Sequence, residues 1–122
     1  MGLRKGYQAL LQEALAEVET IPVEAAISAH QDPDVVLVDL RDVRELEREA
    51  VIPGAFHAPR GMIEFWVDPE SPYHKPIFAS GKRFLLFCAA GWRSALTAKT
   101  LSDTMLSVSS RNAFPTTGIS CR

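Results

Sequence analysis

Two runs of four consecutive apolar residues, Val35-Val36-Leu37-Val38 and Phe84-Leu85-Leu86-Phe87, constrain the fold more than any other feature of this chain. A strand with one wet face alternates apolar and polar residues, whereas a strand covered on both faces is apolar throughout. The first run follows the turn signal Asp32-Pro33-Asp34 and stops at Asp39, and the second stops at Cys88. Helix-prone segments surround them. Residues 7–18 place Tyr7, Leu10, Leu11, Ala14, Leu15 and Val18 at helical spacing, and residues 23–29 follow the helix-starting Pro22. Residues 42–50 are charged with Val43 and Leu46 on one side, a short helix is expected around Ile63-Trp66, and residues 94–102 are helix-prone. Buried strands separated by helices imply crossover connections, hence an α/β fold with a parallel sheet flanked by helices.

A chain of 122 residues makes one domain and buries a core without disulfide staples. A net charge of −2 argues against a nucleic-acid partner. No apolar run approaches the roughly 20 residues that span a bilayer, so no membrane association is expected. The opening residues form an amphipathic helix rather than a secretory signal. Cys88 and Cys121 make neither a disulfide framework nor a CxxC pair, and a cytoplasmic location is the expectation. His30, His57 and His74 lack metal-ligand spacing, so no metal is expected. Nucleotide-binding glycine motifs and the Gly-x-Ser-x-Gly elbow are absent from the sequence.

Chemistry is expected at the end of the second strand. Ligands of open α/β sheets bind beyond the carboxyl ends of the strands, which is where Cys88 stands. The small residues Ala89, Ala90 and Gly91 let the backbone curl around the sulfur before Trp92 and Arg93 lead into a helix. Free N–H groups at that helix start, together with Arg93, favour negative charge inside the loop: a thiolate, a persulfide or a bound oxyanion. The alternative is a small buried cysteine that ends a strand. His57 and Arg60 are weaker candidates for the pocket mouth, with a structural histidine and a solvated arginine as their plain readings.

The segment Cys88-Ala-Ala-Gly-Trp-Arg93 resembles the active-site loop of the rhodanese-like domain, Cys-x-x-Gly-x-Arg. Val38-Asp39-Leu40-Arg41 with Glu45 downstream is similar to the family's Asp-x-Arg motif, and Ile52-Pro53-Gly54-Ala55 matches its Ile-Pro-Gly-Ala turn. The resemblance covers residues 19 to about 106. It implies a small five-stranded parallel sheet and a sulfurtransferase that needs no cofactor. Cys88 would be the nucleophile that becomes a persulfide. The amides of Ala89, Ala90, Gly91, Trp92 and Arg93 would cradle an anion, with Asp39 and Arg41 as buried supports. The implied partners are a small sulfur donor such as thiosulfate and a thiol or cyanide-like acceptor, or a protein sulfur carrier. Four residues separate Cys88 from Arg93, whereas the related phosphatases of the Cdc25 type carry one more. Two departures stand out. Many family members carry a second arginine directly after the cysteine, where this chain has Ala89. The family's Gly-Gly and Trp-bearing continuation is also absent after residue 104. The alternatives are a noncatalytic rhodanese-like binding module and an arsenate reductase or phosphatase relative.

The expected organisation is an N-terminal amphipathic helix over 1–18, a rhodanese-like domain over 19–106 and an atypical, poorly ordered tail over 107–122. The final strand is expected to be missing or altered, with Ser107-Val108-Ser109 as its remnant. The loss of pattern at Thr104 suggests a shifted reading frame or truncation from there onward.

Overall fold

The computed structural model describes residues 2–104 and 112–115. Nine elements follow one another: α1 (Tyr7–Glu17), α2 (Val23–Ala29), β1 (Val35–Asp39), α3 (Val43–Arg48), β2 (Phe56–His57), α4 (Ile63–Val67), β3 (Arg83–Cys88), α5 (Trp92–Thr104) and β4 (Asn112–Pro115). Short 3-10 turns at Arg60–Met62 and Pro76–Ala79 shape the irregular stretch between β2 and β3. The strands form one parallel sheet in the order β2-β1-β3-β4. Val35 pairs with Arg83 and Asp39 with Phe87, so the two apolar runs lie side by side along their whole length.

The unbroken apolar runs are explained by the two layers of helix. Val36, Val38, Phe84, Leu86 and Cys88 point to one face, where they pack with Leu11 and Ala14 of α1, Ile63 of α4 and Ala95, Ala98 and Leu101 of α5. Leu37, Leu85 and Phe87 point to the other, against Ala26 of α2 and Ile52. Alternate residues of one strand thus feed two separate cores, the period of two that a pleated strand imposes. Phe78 stacks on Phe84 at 5.2 Å and meets Phe56 edge-on at 5.7 Å, anchoring the irregular stretch to the first core.

The expected count of five strands is corrected: the described residues form four. Between α1 and α2, Glu19 has only a single bridge position. Pro22 turns the chain into α2 too soon after it for a ladder to build. The expected loss of the final strand is corrected in the opposite sense. Asn112–Pro115 pairs parallel with Leu85–Cys88 and covers the edge of β3 that faces away from β1. An open edge beside an apolar strand leaves backbone groups unpaired, and pairing it satisfies them. Pro115 lacks an N–H and stands at the strand's end, where a missing donor costs least. The remnant suggested at Ser107-Val108-Ser109 lies outside the described residues, as does Cys121. Among the described residues, no helix is long and apolar enough to cross a membrane.

Candidate active site

Strand β3 sits between two neighbours and carries Cys88 to the carboxyl end of the sheet. Ala89 and Ala90 form a bend, and Gly91 adopts a φ of 87°. That left-handed backbone is open to glycine at little cost and strains other residues, so Gly91 is what lets the loop reverse so tightly into α5. The helix starts at Trp92, two residues before the expected start at Ser94. Its first turn therefore faces back onto the strand end.

The sulfur is buried, with 1% of Cys88 exposed. The Ser94 backbone N–H donates to Sγ at 3.4 Å. The Cys88 thiol donates to Ser94 Oγ at 3.6 Å, and the Ser94 hydroxyl donates to the Gly91 carbonyl at 3.2 Å. On ionisation of the thiol, the hydroxyl proton can turn from Gly91 to the sulfur, giving two donors from one residue. Ser94 was missed in the sequence, and it lies one position beyond the predicted cradle of residues 89–93. In the structure it is a fully buried, short hydroxyl residue at the third position of the helix that follows the cysteine loop.

Arg93 reaches across to α3. Its guanidinium forms a two-pronged pair with Glu45, Nη1 to Oε2 at 2.8 Å and Nη2 to Oε1 at 3.0 Å. Glu45 is itself fixed by the start of α3. The Asp42 N–H donates to Glu45 Oε2 at 2.9 Å and the Asp42 side chain accepts from Arg44 N–H at 2.8 Å, a capping box. The Arg93 hydrogen bonds hold the Glu45 carboxyl down to about 2, against the opposing effect of burial, with Asp42 and the charge of Arg41 assisting. Glu45 in turn raises Arg93, burial opposes it, and the Cys88 sulfur adds in the raising direction.

A pH dependence follows. Glu45 has a folded value below its ordinary 4.5, so its contribution to stability is complete above about pH 4.5 and is lost as the pH falls toward 2. The Arg93 side chain is 36% exposed, so solvent screening limits the contribution to about 1 kcal/mol. Urea denaturation should give a gap of about that size between the native protein and Glu45→Gln at pH 6, narrowing below pH 4.5 and closed by pH 2. A gap that stays constant with pH would show that the charge of Glu45 does not stabilise the fold.

Asp39 and Arg41 are both buried and bound to each other. Arg41 Nη2 lies 2.9 Å from Asp39 Oδ2, and Arg41 Nε lies 3.0 Å from Oδ1. The same carboxylate accepts the Arg41 backbone N–H at 3.0 Å. Nη2 also donates to the Ala50 carbonyl at 3.0 Å, just beyond α3. The pair thus braces the β1–α3 turn that positions Glu45. The weaker candidates have other partners: His57 Nε2 meets the Arg41 carbonyl at 2.7 Å, and Arg60 pairs with Glu64 at 3.1 Å. Trp92 stands exposed on the loop, its ring 5.3 Å from that of Tyr7 in α1. Among the described residues no group of three His, Cys, Asp or Glu could hold a metal.

The rhodanese-like domain model matches residues 23–114. The chain belongs to the rhodanese-like domain family. Its matched span includes the buried cysteine, the loop and all of β4 but its last residue, Pro115. A solved structure from Rhodopseudomonas palustris, of a protein of unknown function named as a possible tyrosine phosphatase, superposes with a TM-score of 0.82 at 50% identity, covering 87% of this chain and 82% of that one. No curated protein matches the chain.

Proposed function

We propose that this rhodanese-like protein is a sulfurtransferase that carries sulfane sulfur on Cys88. The observation that supports it most is the size and polarity of the loop. Four residues link Cys88 to Arg93, and the sulfur takes the N–H of Ser94 at 3.4 Å. The thiol proton leaves to solvent, and the thiolate attacks the outer sulfur of a donor such as thiosulfate. The donor's S–S bond breaks, its electron pair leaves with sulfite, and Cys88 holds a persulfide anion. An acceptor nucleophile then attacks the outer sulfur, and the Cys88 thiolate departs. Cyanide as acceptor gives thiocyanate. Arg93 lends charge to the loop and Glu45 keeps it in place, while Asp39 and Arg41 brace the turn behind them.

The name of the Rhodopseudomonas palustris protein raises phosphoester hydrolysis as a second reading. Charge weighs against it here. A phosphate dianion beside a thiolate would face one arginine already shared with Glu45, with Ala89 where a second arginine could stand. Intact mass measured after incubation with thiosulfate should rise by one sulfur and return on adding cyanide, and p-nitrophenyl phosphate should be left intact. Phosphate release with no mass gain would exchange the two readings. Neither reaction in a folded protein would favour a noncatalytic binding module.

A further inference from the structure

Arg93 is the only cation in the loop 88–93. Its guanidinium has two partners. Glu45 takes both Nη1 and Nη2, at 2.8 and 3.0 Å, and the Cys88 sulfur acts on the same group by hydrogen bond and by charge. Glu45 is fixed in turn, because the Asp42 N–H donates to its Oε2 at 2.9 Å at the start of α3. The other buried cation at the carboxyl end of β1, Arg41, is paired with Asp39 at 2.9 Å. Arg41 and Arg93 therefore each carry a carboxylate. An anion entering the loop meets backbone N–H groups and the start of α5, with a cation whose charge is already balanced.

We infer that Glu45 is a specificity-determining residue of the loop: its charge cancels that of Arg93 and keeps doubly charged oxyanions, phosphate and sulfate among them, from occupying the site of the sulfur. The inference rests on the sulfurtransferase reading only for the use to which the open site is put. Backbone N–H groups and an unbalanced arginine would together hold any oxyanion. A nucleophile that must stay open to a sulfur donor is blocked by each anion held there. A fixed carboxylate discriminates by repulsion, and Coulomb energy is proportional to the charge of the ligand. The penalty on a dianion is thus twice that on a monoanion of the same shape, and in affinity it is the square. Unit charges a guanidinium's width apart in water interact by roughly a threefold factor in affinity, hence roughly tenfold for a dianion.

Sulfate and perchlorate are tetrahedral anions of nearly one size that differ in charge. Each is titrated by calorimetry, at pH 7 and low ionic strength, into Cys88→Ser protein carrying Glu45, Glu45→Gln or Glu45→Asp. Glutamine keeps an oxygen for Arg93 and the Asp42 N–H but not the charge, whereas aspartate keeps the charge. Glu45→Gln should tighten sulfate about tenfold and perchlorate about threefold. Glu45→Asp should show no such graded gain. Circular dichroism at the same pH confirms that each variant is folded. Sulfate binding that is undetectable, unchanged or weaker in Glu45→Gln would overturn the inference and leave Glu45 only the task of holding Arg93 in place. An equal gain for the two anions, or the same gain in Glu45→Asp, would overturn it as well. A charge-graded gain in a chain whose native form takes up no sulfur from thiosulfate would uphold the role of Glu45 and remove the sulfurtransferase reading.

Discussion

Cys88→Ser should leave a folded protein that transfers no sulfur. Serine differs from cysteine by one atom, and the site that receives it is already lined by the Ser94 N–H and hydroxyl. The variant therefore keeps a hydrogen-bonded group at the end of β3 and should unfold in urea within about 1 kcal/mol of the native protein. The chemistry does not survive. An alcohol at neutral pH presents almost no anion, and oxygen cannot carry sulfane sulfur as a persulfide. Thiocyanate formation from thiosulfate and cyanide should fall at least about a thousandfold, the scale on which removal of a covalent nucleophile acts. Intact mass should show no added sulfur. A variant that retained a tenth of the native rate would place the sulfur on another group and end the role assigned to Cys88.

The parts of the fold visible in the sequence are those where local chemistry and tertiary position agree. Val35–Asp39 and Arg83–Cys88 are continuous apolar strands because helices cover both their faces, and that demand is written residue by residue. The charged stretch 42–50, with Val43 and Leu46 on one side, shows α3 in the same way. Cys88, Gly91 and Arg93 were legible because a tight loop into a helix needs those residue types in that order. What stayed hidden depends on partners distant in sequence. Asn112–Pro115 has no strand period and ends in proline; it pairs because β3 offers an open edge. The contact between Tyr7 and Trp92 exists only once α1 lies along α5. Ser94 is an unremarkable serine in a helical stretch until the loop folds its N–H onto the sulfur. Arg93 is legible as a positive charge at the loop, but its tie to Glu45 joins segments 48 residues apart.

Asp39→Ala should be the most destabilising single change among the charged residues of this chain. The carboxylate and the Arg41 guanidinium are each only 4% exposed, and Asp39 accepts from Nε, Nη2 and the Arg41 backbone N–H. Removing it takes from the buried Arg41 guanidinium the carboxylate that accepts Nε and Nη2, and releases the turn from β1 into α3. Breaking a buried pair from one side costs about 3–5 kcal/mol, a large share of the roughly 5–15 kcal/mol that holds a domain folded. Asp39→Asn keeps the shape and acceptor oxygen but not the charge, so it should fall between the two. The decisive comparison is the double variant Asp39→Leu/Arg41→Leu. With both charges gone no buried charge has lost its bidentate partner, and urea denaturation should show the double variant losing less stability than Asp39→Ala alone. Additive losses would mean that the two side chains act separately and that their pairing does not brace the turn. The same release should reach the sulfur loop, because Glu45 is held by the turn after Asp39 and in turn holds Arg93. The buried charge pair at the end of the neighbouring strand would in this way act on the position of Arg93 through Glu45, which is the supporting role proposed for Asp39 and Arg41.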